Sequence, residues 1–355
     1  IIIGFKKGVS TEQRRAIVQS MGGKIIGELP LFGMVLAEPG LTPASAFKAE
    51  MAIHPEVMAV ENDFTTKWIE EAPVYEPTLR EFQNVQGAIH NGLLKKPLPR
   101  RGGAPVKPLP PVLVEEAQWG VKRVNAPAAW DKNQGAGIKV AVIDTGIDAT
   151  HPDLAGSVAG GYNAVEKGKP WADDHFHGTH VAGIIAAALD GKGVVGVAPK
   201  VKLYAVKVLT KEGSGSMFGI MDGMQWCAQN GIQVANMSLG APKGNFMFQY
   251  AVSNMVSAGV TLVAAAGNGD GNGGPSPVNY PAAYKEAIAV SALDDKDGIT
   301  QWSSRGPEVA FIAPGLKVPS TVPYSNDATG IHAYSGTSMA SPHVAGLAAL
   351  AVFRG

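Results

Sequence analysis

Three short segments of the chain together supply an acid, a base and a nucleophile. Asp144 ends an apolar run and precedes Thr-Gly, His177 opens a His-Gly-Thr-His-Val-Ala-Gly segment, and Ser338 lies within Gly-Thr-Ser-Met-Ala-Ser-Pro. A serine hydroxyl is a weak nucleophile at neutral pH, so it needs an imidazole to accept its proton and a carboxylate to orient that imidazole. These residue types therefore indicate nucleophilic catalysis by serine.

The order of these residues along the chain separates them from another arrangement of the same chemistry. A lipase or esterase would carry a Gly-x-Ser-x-Gly elbow and the order Ser, acid, His. Neither is present here, where the order is Asp, His, Ser. The sequence therefore argues against the lipase and esterase alternative.

From residue 137 onward, the pattern predicts an α/β sheet that could position these groups. Nearly continuous apolar strands alternate with helical stretches, which favours a parallel sheet flanked by helices on both faces. The predicted strands cover residues 139–143, 203–208, 234–238 and 260–265. Chemistry in such sheets lies at the carboxyl ends of strands, where Asp144, Ser238 and Asn268 fall.

The three segments, together with Ala-Ala-Ala-Gly-Asn at residues 264–268, resemble the four signature blocks of the subtilisin (subtilase) family. The resemblance covers about residues 114–355. It implies a subtilisin-like α/β fold and a serine endopeptidase of broad specificity that acts through an acyl-enzyme. By the same resemblance, Asp144 orients the imidazole, His177 is the general base, Ser338 is the nucleophile and Asn268 donates to the oxyanion.

Substrate binding in the resembled family is similar to the addition of a β-strand, in which an extended peptide pairs with exposed backbone on both sides of a cleft. Apolar side chains are expected to line one pocket, and Asn279 stands where many family members have glycine, which predicts a shallower, more polar S1 pocket. The matching cleft segments are Gly213, Ser214 and Gly215, and Ser238, Leu239 and Gly240. The apolar pocket is assigned to Met217, Ile220 and Leu239.

Calcium is the cofactor that the resemblance implies. Asp153 and Asp190 would each give a carboxylate, and Glu115 could replace an amide ligand, which makes an oxygen set suited to a hard cation. The alternative, that Asp190 only serves a glycine-rich turn, stays open. The expected carbonyl ligands are those of Ala188, Lys192 and Val194.

Residues 1–69 form a separate unit whose pattern of strand, helix, two strands, helix and strand describes a small split βαβ domain. The resemblance implies a ferredoxin-like α+β prodomain, an intramolecular inhibitor whose tail lies near residues 65–69. Residues 70–113 are rich in Pro and basic pairs and predict a linker. Either this linker is an insertion after the inhibitory segment, or the chain is cut inside it, near Leu113 or in residues 70–75.

Composition narrows the expected partners. Lys plus Arg and Asp plus Glu each total 30, which gives no reason to expect a nucleic acid or an anionic membrane as partner. The one cysteine excludes an intrachain disulfide, and no apolar run approaches the roughly 20 residues of a membrane span. The chain begins at Ile1 and shows no signal-peptide pattern. We nevertheless expect a secreted protein.

A catalytically silent binding or inhibitory protein that retains the subtilisin fold is the alternative from another functional class. Such a protein would lack one or more catalytic residues. The sequence has all of them, so we expect protein or peptide substrates.

Overall fold

The computed structural model describes residues 1–69, 117–269 and 276–352. The predicted linker at residues 70–113 and the predicted ligand Glu115 lie outside these ranges, as do both suggested regions of cleavage.

The N-terminal residues form a four-stranded antiparallel sheet covered on one face by two helices, in the predicted order of elements. Ile3 and Phe5, two alternate residues of the first strand, are buried together with Phe47 and Met51 and close a small core between sheet and helices. The elements are β1 (Ile2–Phe5), α1 (Thr11–Ser20), β2 (Gly23–Leu29), a 3₁₀ turn (Pro30–Phe32), β3 (Met34–Pro39), α2 (Ala44–Ile53) and β4 (Val57–Glu61), followed by the short strand β5 (Thr65–Lys67). The sheet order is β2-β3-β1-β4.

A seven-stranded parallel sheet forms the centre of the larger part of the molecule, which confirms the fold class predicted from the sequence. The strands are β6 (Lys139–Asp144), β7 (Val158–Asn163), β8 (Lys202–Lys207), β10 (Val234–Met237), β11 (Thr261–Ala265), β12 (Ile288–Leu293) and β13 (Val309–Pro314). Their order is β13-β12-β11-β10-β6-β8-β7. The five inner strands are mostly apolar and buried, as expected when helices cover both faces, whereas the edge strands β7 and β13 are largely exposed or partly exposed.

Helices pack on both faces of this sheet, and two smaller strand pairs complete the fold. Strand β9 (Ser214–Ser216) pairs with β5, and β14 (Val318–Thr321) pairs with β15 (Ile331–Tyr334). The helices are α3 (Trp119–Arg123), α4 (Pro127–Trp130), α5 (His177–Ala186), α6 (Met217–Gln229), α7 (Phe246–Ser257) and α8 (Thr337–Val352). Helix α8 begins at Thr337, so Ser338 lies within its first turn.

The N-terminal sheet packs its second face on α6 and α7. Phe32 and Met34 share a buried cluster with Met247 and Phe248. The approach is close: a Cβ added at Gly4 would lie 2.5 Å from the Met247 Cε atom. Leu31 N also donates to Gln225 Oε1 at 2.9 Å. Buried apolar contacts therefore join the N-terminal sheet to helices α6 and α7.

No helix within residues 1–69, 117–269 and 276–352 is long and apolar enough to cross a membrane.

Candidate active site

Asp144 and His177 form a buried pair at the carboxyl end of the central strands. Asp144 is the last residue of β6, and His177 is the first residue of α5. His177 Nδ1 lies 2.8 Å from Asp144 Oδ1 and 3.0 Å from Oδ2, and the two residues are 4% and 0% exposed. A carboxylate in this position fixes the ring orientation and leaves Nε2 as the nitrogen available to accept a proton.

Ser338 lies in the first turn of α8, where backbone N–H groups and the helix dipole favour negative charge. Its hydroxyl donates to the carbonyl oxygen of Ser238 at 3.2 Å, and its own carbonyl accepts from Ser238 Oγ at 2.8 Å. His177 Nε2 is buried and has no hydrogen-bond partner in the part of the chain that the structure describes. The structure therefore shows a hydrogen bond between Asp144 and His177 and none between His177 Nε2 and the Ser338 hydroxyl.

Asn268 follows β11 and is held in one orientation by Thr337. Its side-chain Oδ1 accepts from Thr337 N at 2.8 Å and from Thr337 Oγ1 at 2.9 Å. Because both contacts use the oxygen, the amide N–H groups point away from Thr337. Asn268, Thr337 and Ser338 line one pocket, so the predicted donor and nucleophile share a site.

The two predicted cleft segments enclose the end of the N-terminal unit. Strand β5 pairs antiparallel with β9, with Thr66 opposite Gly215 and Lys67 opposite Ser214. Trp68 N then donates to Gly213 O at 2.9 Å, while Trp68 O accepts from Gly240 N at 2.9 Å. Backbone pairing on both sides is the geometry expected for an extended peptide in the cleft.

Asn279 lies in the pocket beside Ser338, where the sequence placed the S1 pocket. It is 4% exposed, and its N–H donates to Ala266 O at 2.8 Å. A Cβ added at Gly240 would lie 3.0 Å from the Asn279 Cβ atom. The remaining lining comes from Trp68, Leu239, Gly240, Ala265, Gly267, Asn268, Thr337 and Ser338.

The predicted apolar pocket residues belong to the same buried cluster as Trp68. Met217, Ile220 and Leu239 are at most 2% exposed, and Trp68 is 1% exposed. The Trp68 indole packs edge-on against Phe248 at 5.9 Å and donates from Nε1 to Gly215 O at 2.8 Å. The tail thus places a large aromatic side chain in this apolar region.

Comparison with known proteins identifies the family of this chain. A family model described as the subtilase family matches residues 135–353. The chain belongs to the subtilase family. M-protease of Shouchella clausii (strain KSM-K16) is 46% identical over 239 residues, which are 67% of this chain and 60% of M-protease. The chain therefore matches less than two thirds of that relative's length.

Two further relatives support the same assignment. Subtilisin Savinase of Lederbergia lenta is 46% identical over 237 residues, which cover 66% of this chain and 84% of that protein. Subtilisin E of Bacillus subtilis (strain 168) is 45% identical over 238 residues, 66% of this chain and 61% of that protein. All three matches have the length of the subtilase part of the chain.

The residues predicted to bind calcium lie beside one another in this subtilase fold, except Glu115, which lies outside the described ranges. Ala188 N donates to Asp153 O, and Val194 N donates to Asp153 Oδ2, both at 2.9 Å. Asp190 and Lys192 are exposed. Within the described residues, no group of three or more His, Cys, Asp or Glu side chains could hold a metal ion.

Two acidic residues that the sequence analysis did not single out join the N-terminal unit to the subtilase helices. Asp63 Oδ1 accepts from Phe218 N at 3.0 Å, at the start of α6. Glu61 accepts from Phe246 N at 3.1 Å and Met247 N at 3.4 Å, at the start of α7. Helix N-termini favour such carboxylates. The sequence signal that could have pointed to this contact was the pair of acidic residues at the end of β4 and two positions beyond it.

Proposed function

We propose that this chain is a serine endopeptidase in which Asp144, His177 and Ser338 form the catalytic triad. The observation that carries the proposal is the buried Asp144–His177 pair, with Nδ1 and Oδ1 2.8 Å apart. Ser338 lines a pocket together with Asn268. Membership of the subtilase family supports the same chemistry.

In the proposed reaction, the Ser338 hydroxyl attacks the peptide carbonyl while His177 Nε2 accepts its proton. Asp144 stabilises the resulting imidazolium, and Asn268 with the Ser338 backbone N–H stabilises the oxyanion. His177 then returns the proton to the leaving amine, and water hydrolyses the acyl-enzyme by the same route. Rotation of the Ser338 hydroxyl from Ser238 O to His177 must precede the attack.

We propose that residues 1–69 are an inhibitory propeptide and that the full chain is a zymogen. The support is the tail, whose backbone pairs with Gly213 and Gly240 as an extended substrate would, and whose Trp68 side chain is buried. Carboxylates of Glu61 and Asp63 at two helix starts add directional contacts. Maturation by more than one cut is part of this proposal.

Pairing through backbone groups accepts many side chains, and we therefore propose broad specificity for protein or peptide substrates. The buried Asn279 beside Gly240 narrows the pocket next to Ser338. It favours small or polar residues over large aromatic residues on the acyl side of the cleaved bond. Secretion stays an expectation from the family resemblance.

Calcium binding by Asp153, Asp190 and the carbonyls of Ala188, Lys192 and Val194 is a further part of the proposal. The fit rests on Gly193, where a Cβ would lie 2.0 Å from Asp153 Oδ2, so only glycine lets the turn close over this carboxylate. An all-oxygen donor set suits Ca²⁺, whose role would be to hold the turn. A chelator should then lower the melting temperature of a Ser338→Ala chain, and an unchanged melting temperature would remove calcium from the proposal.

Casein hydrolysis tests the peptidase against the alternative of a silent binding protein. The processed wild-type chain should hydrolyse casein, while Ser338→Ala and His177→Ala should not. A folded, processed wild-type chain without this activity would favour the binding protein. Timed N-terminal sequencing of wild type and Ser338→Ala tests self-processing, because cuts that persist in the alanine variant would exclude it.

A further inference from the structure

Asp173 lies just before the helix that carries His177, and both of its carboxylate oxygens are occupied by donors. Oδ1 accepts from Thr145 Oγ1 at 2.8 Å and from His175 N at 3.0 Å. Oδ2 accepts from Thr179 N at 2.9 Å and from Thr179 Oγ1 at 2.6 Å. A single carboxylate therefore accepts four hydrogen bonds, from the residue after β6, the loop before α5 and the first turn of α5.

The donors belong to the residues that flank the candidate catalytic pair. Thr145 directly follows Asp144 at the end of β6, and Thr179 is two residues after His177 in the first turn of α5. Thr145 Oγ1 also accepts from Gly178 N at 3.0 Å. Strand end and helix start are thus joined twice, through Asp173 and directly through the Thr145 hydroxyl.

Lys207 holds the same strand end from the other side. It is the last residue of β8, opposite Asp144 in the parallel pairing of β6 and β8. Its buried Nζ donates to Thr145 O at 2.7 Å and to Leu209 O at 2.9 Å, and it pairs with Asp174 at 2.6 Å. The Thr145 backbone is therefore fixed by Lys207, which leaves the Thr145 hydroxyl to set the position of the helix.

We propose that Asp173 is a positioning residue that, through Thr145 and Thr179, holds Asp144 and His177 at hydrogen-bond distance. The kinetic consequence of this inference rests on the proposed peptidase function. The hydrogen-bond geometry around Asp173 does not depend on that function. The hydrogen bonds of the Asp173 carboxylate go to Thr145, His175 and Thr179, and not to Asp144, His177 or Ser338. Its role is to set the position of α5 relative to β6, on which the Asp144–His177 hydrogen bond depends.

The charged carboxylate suits this role because it has acceptor capacity for all four donors. Burial raises the pKa of Asp173, and the hydrogen bonds from Thr179, His175 N and Thr145 oppose that rise. An asparagine in its place would offer one oxygen and turn an NH₂ group toward two donors, which leaves buried polar groups unpaired.

The sharpest test compares Thr145→Val with Thr145→Ser. Valine has the shape of threonine but lacks the hydroxyl, whereas serine keeps the hydroxyl. We expect Thr145→Val and Asp173→Asn to lower kcat by at least about tenfold with KM nearly unchanged, since only the catalytic pair is displaced. Thr145→Ser should stay within a fewfold of wild type. Asp295→Asn, in the exposed turn after β12, is the control.

The pH profile separates positioning from a loss of folded protein. When Asp144 is held less firmly against His177, it stabilises the protonated imidazole less. The acidic limb of the kcat/KM profile should therefore move to lower pH in Thr145→Val and Asp173→Asn. The neighbouring titratable residues Asp144, His175 and His180 are unchanged in these variants. A lower active fraction with an unshifted profile, or equal kcat for the valine and serine variants, would overturn the proposal.

A second measurement does not require activity. In the Ser338→Ala full chain, the Nδ1 proton that His177 shares with Asp144 should give a far-downfield ¹H NMR signal. Adding Thr145→Val should shift it upfield or broaden it, and adding Thr145→Ser should not. An identical signal in both would overturn the positioning role. A changed signal in a chain whose wild type lacks peptidase activity would reject the proposed function and keep this inference.

Discussion

Ser338 donates its hydroxyl to the carbonyl oxygen of Ser238, 3.2 Å away. This carbonyl belongs to a segment that is predicted to bind substrate backbone, and the same segment contacts the tail through Gly240 N and Trp68 O. The Ser338 hydroxyl is thus bonded to the cleft segment that the tail also contacts. We propose that inhibition of the full chain combines two features: a cleft filled by the tail and a Ser338 hydroxyl that is not bonded to His177.

Replacing Trp68 with alanine should expose Ser338 in the uncleaved chain. The change removes the indole hydrogen bond to Gly215 and the buried ring, and buried Trp residues commonly dominate the energy of an interface. We expect a serine-directed fluorophosphonate to label the full-length band about tenfold faster or more. Ile53→Ala, on an 84% exposed residue of α2, is the control. Equal labelling rates for all three chains would contradict the inhibitory role of the tail.

Asn268→Leu should lower kcat far more than it changes KM. The Asn268 amide is oriented by Thr337 and shares the pocket with Ser338, and in the proposed mechanism its N–H donor is needed only as the oxyanion forms. Loss of the equivalent type of donor in a subtilisin costs about a hundredfold to a thousandfold in kcat. Steady-state kinetics on a peptide anilide, with active sites counted by titration, measure this. A fall in activity caused only by a larger KM would argue against the assignment.

Asn279→Gly should enlarge the pocket next to Ser338. Removing this side chain opens the space beside Gly240, so the ratio of kcat/KM for Phe over Ala before the cleaved bond should rise about tenfold, a change of about 1.4 kcal/mol. A matched peptide series that differs only at this residue provides the measurement. Wild type that already cleaves best after Phe or Tyr would refute a narrow, polar pocket.

His343 should make the chain less stable in acid. Burial lowers its pKa to about 4 from 6.5, and Gly120 of α3 packs on its ring, where a Cβ would lie 2.4 Å from Nε2. The unfolded chain therefore binds a proton first as the pH falls. The stability is fully present above about pH 6.5 and is lost as the pH falls toward 4, by about 2–3 kcal/mol.

Denaturant unfolding of Ser338→Ala chains at several pH values checks this. Adding His343→Gln should flatten the loss of unfolding free energy between pH 6.5 and 4. Adding His54→Gln, at a partly exposed position after α2, should leave it unchanged. An equal loss of unfolding free energy between pH 6.5 and 4 in both variants would show that His343 does not contribute to the instability in acid.

The sequence predicted the parallel sheet and the positions of Asp144 and Asn268 at strand ends because strand burial and family blocks are local signals. The order of elements in residues 1–69 was predictable for the same reason. Local patterns could not show that Trp68 lies between Gly213 and Gly240. That contact joins residues about 150 positions apart along the chain, and no periodicity in the sequence encodes it.

The role inferred for Asp173 could not be predicted from residue type either. Asp173 and Asp174 are adjacent and identical in type, yet one accepts from Thr145 and Thr179 and the other pairs with Lys207. Only the direction in which each side chain leaves the backbone separates them. The hydrogen bond from the Ser338 hydroxyl to Ser238 could not be predicted from the sequence for a related reason. It depends on a side-chain rotation that residue type does not determine.

The most direct test of the central claim is to locate the site of fluorophosphonate modification in the processed chain by peptide mass spectrometry. The account predicts one adduct, on Ser338, with casein hydrolysis lost in proportion to labelling and neither labelling nor hydrolysis in Ser338→Ala. An adduct on another residue, or casein hydrolysis that survives complete labelling of Ser338, would contradict it.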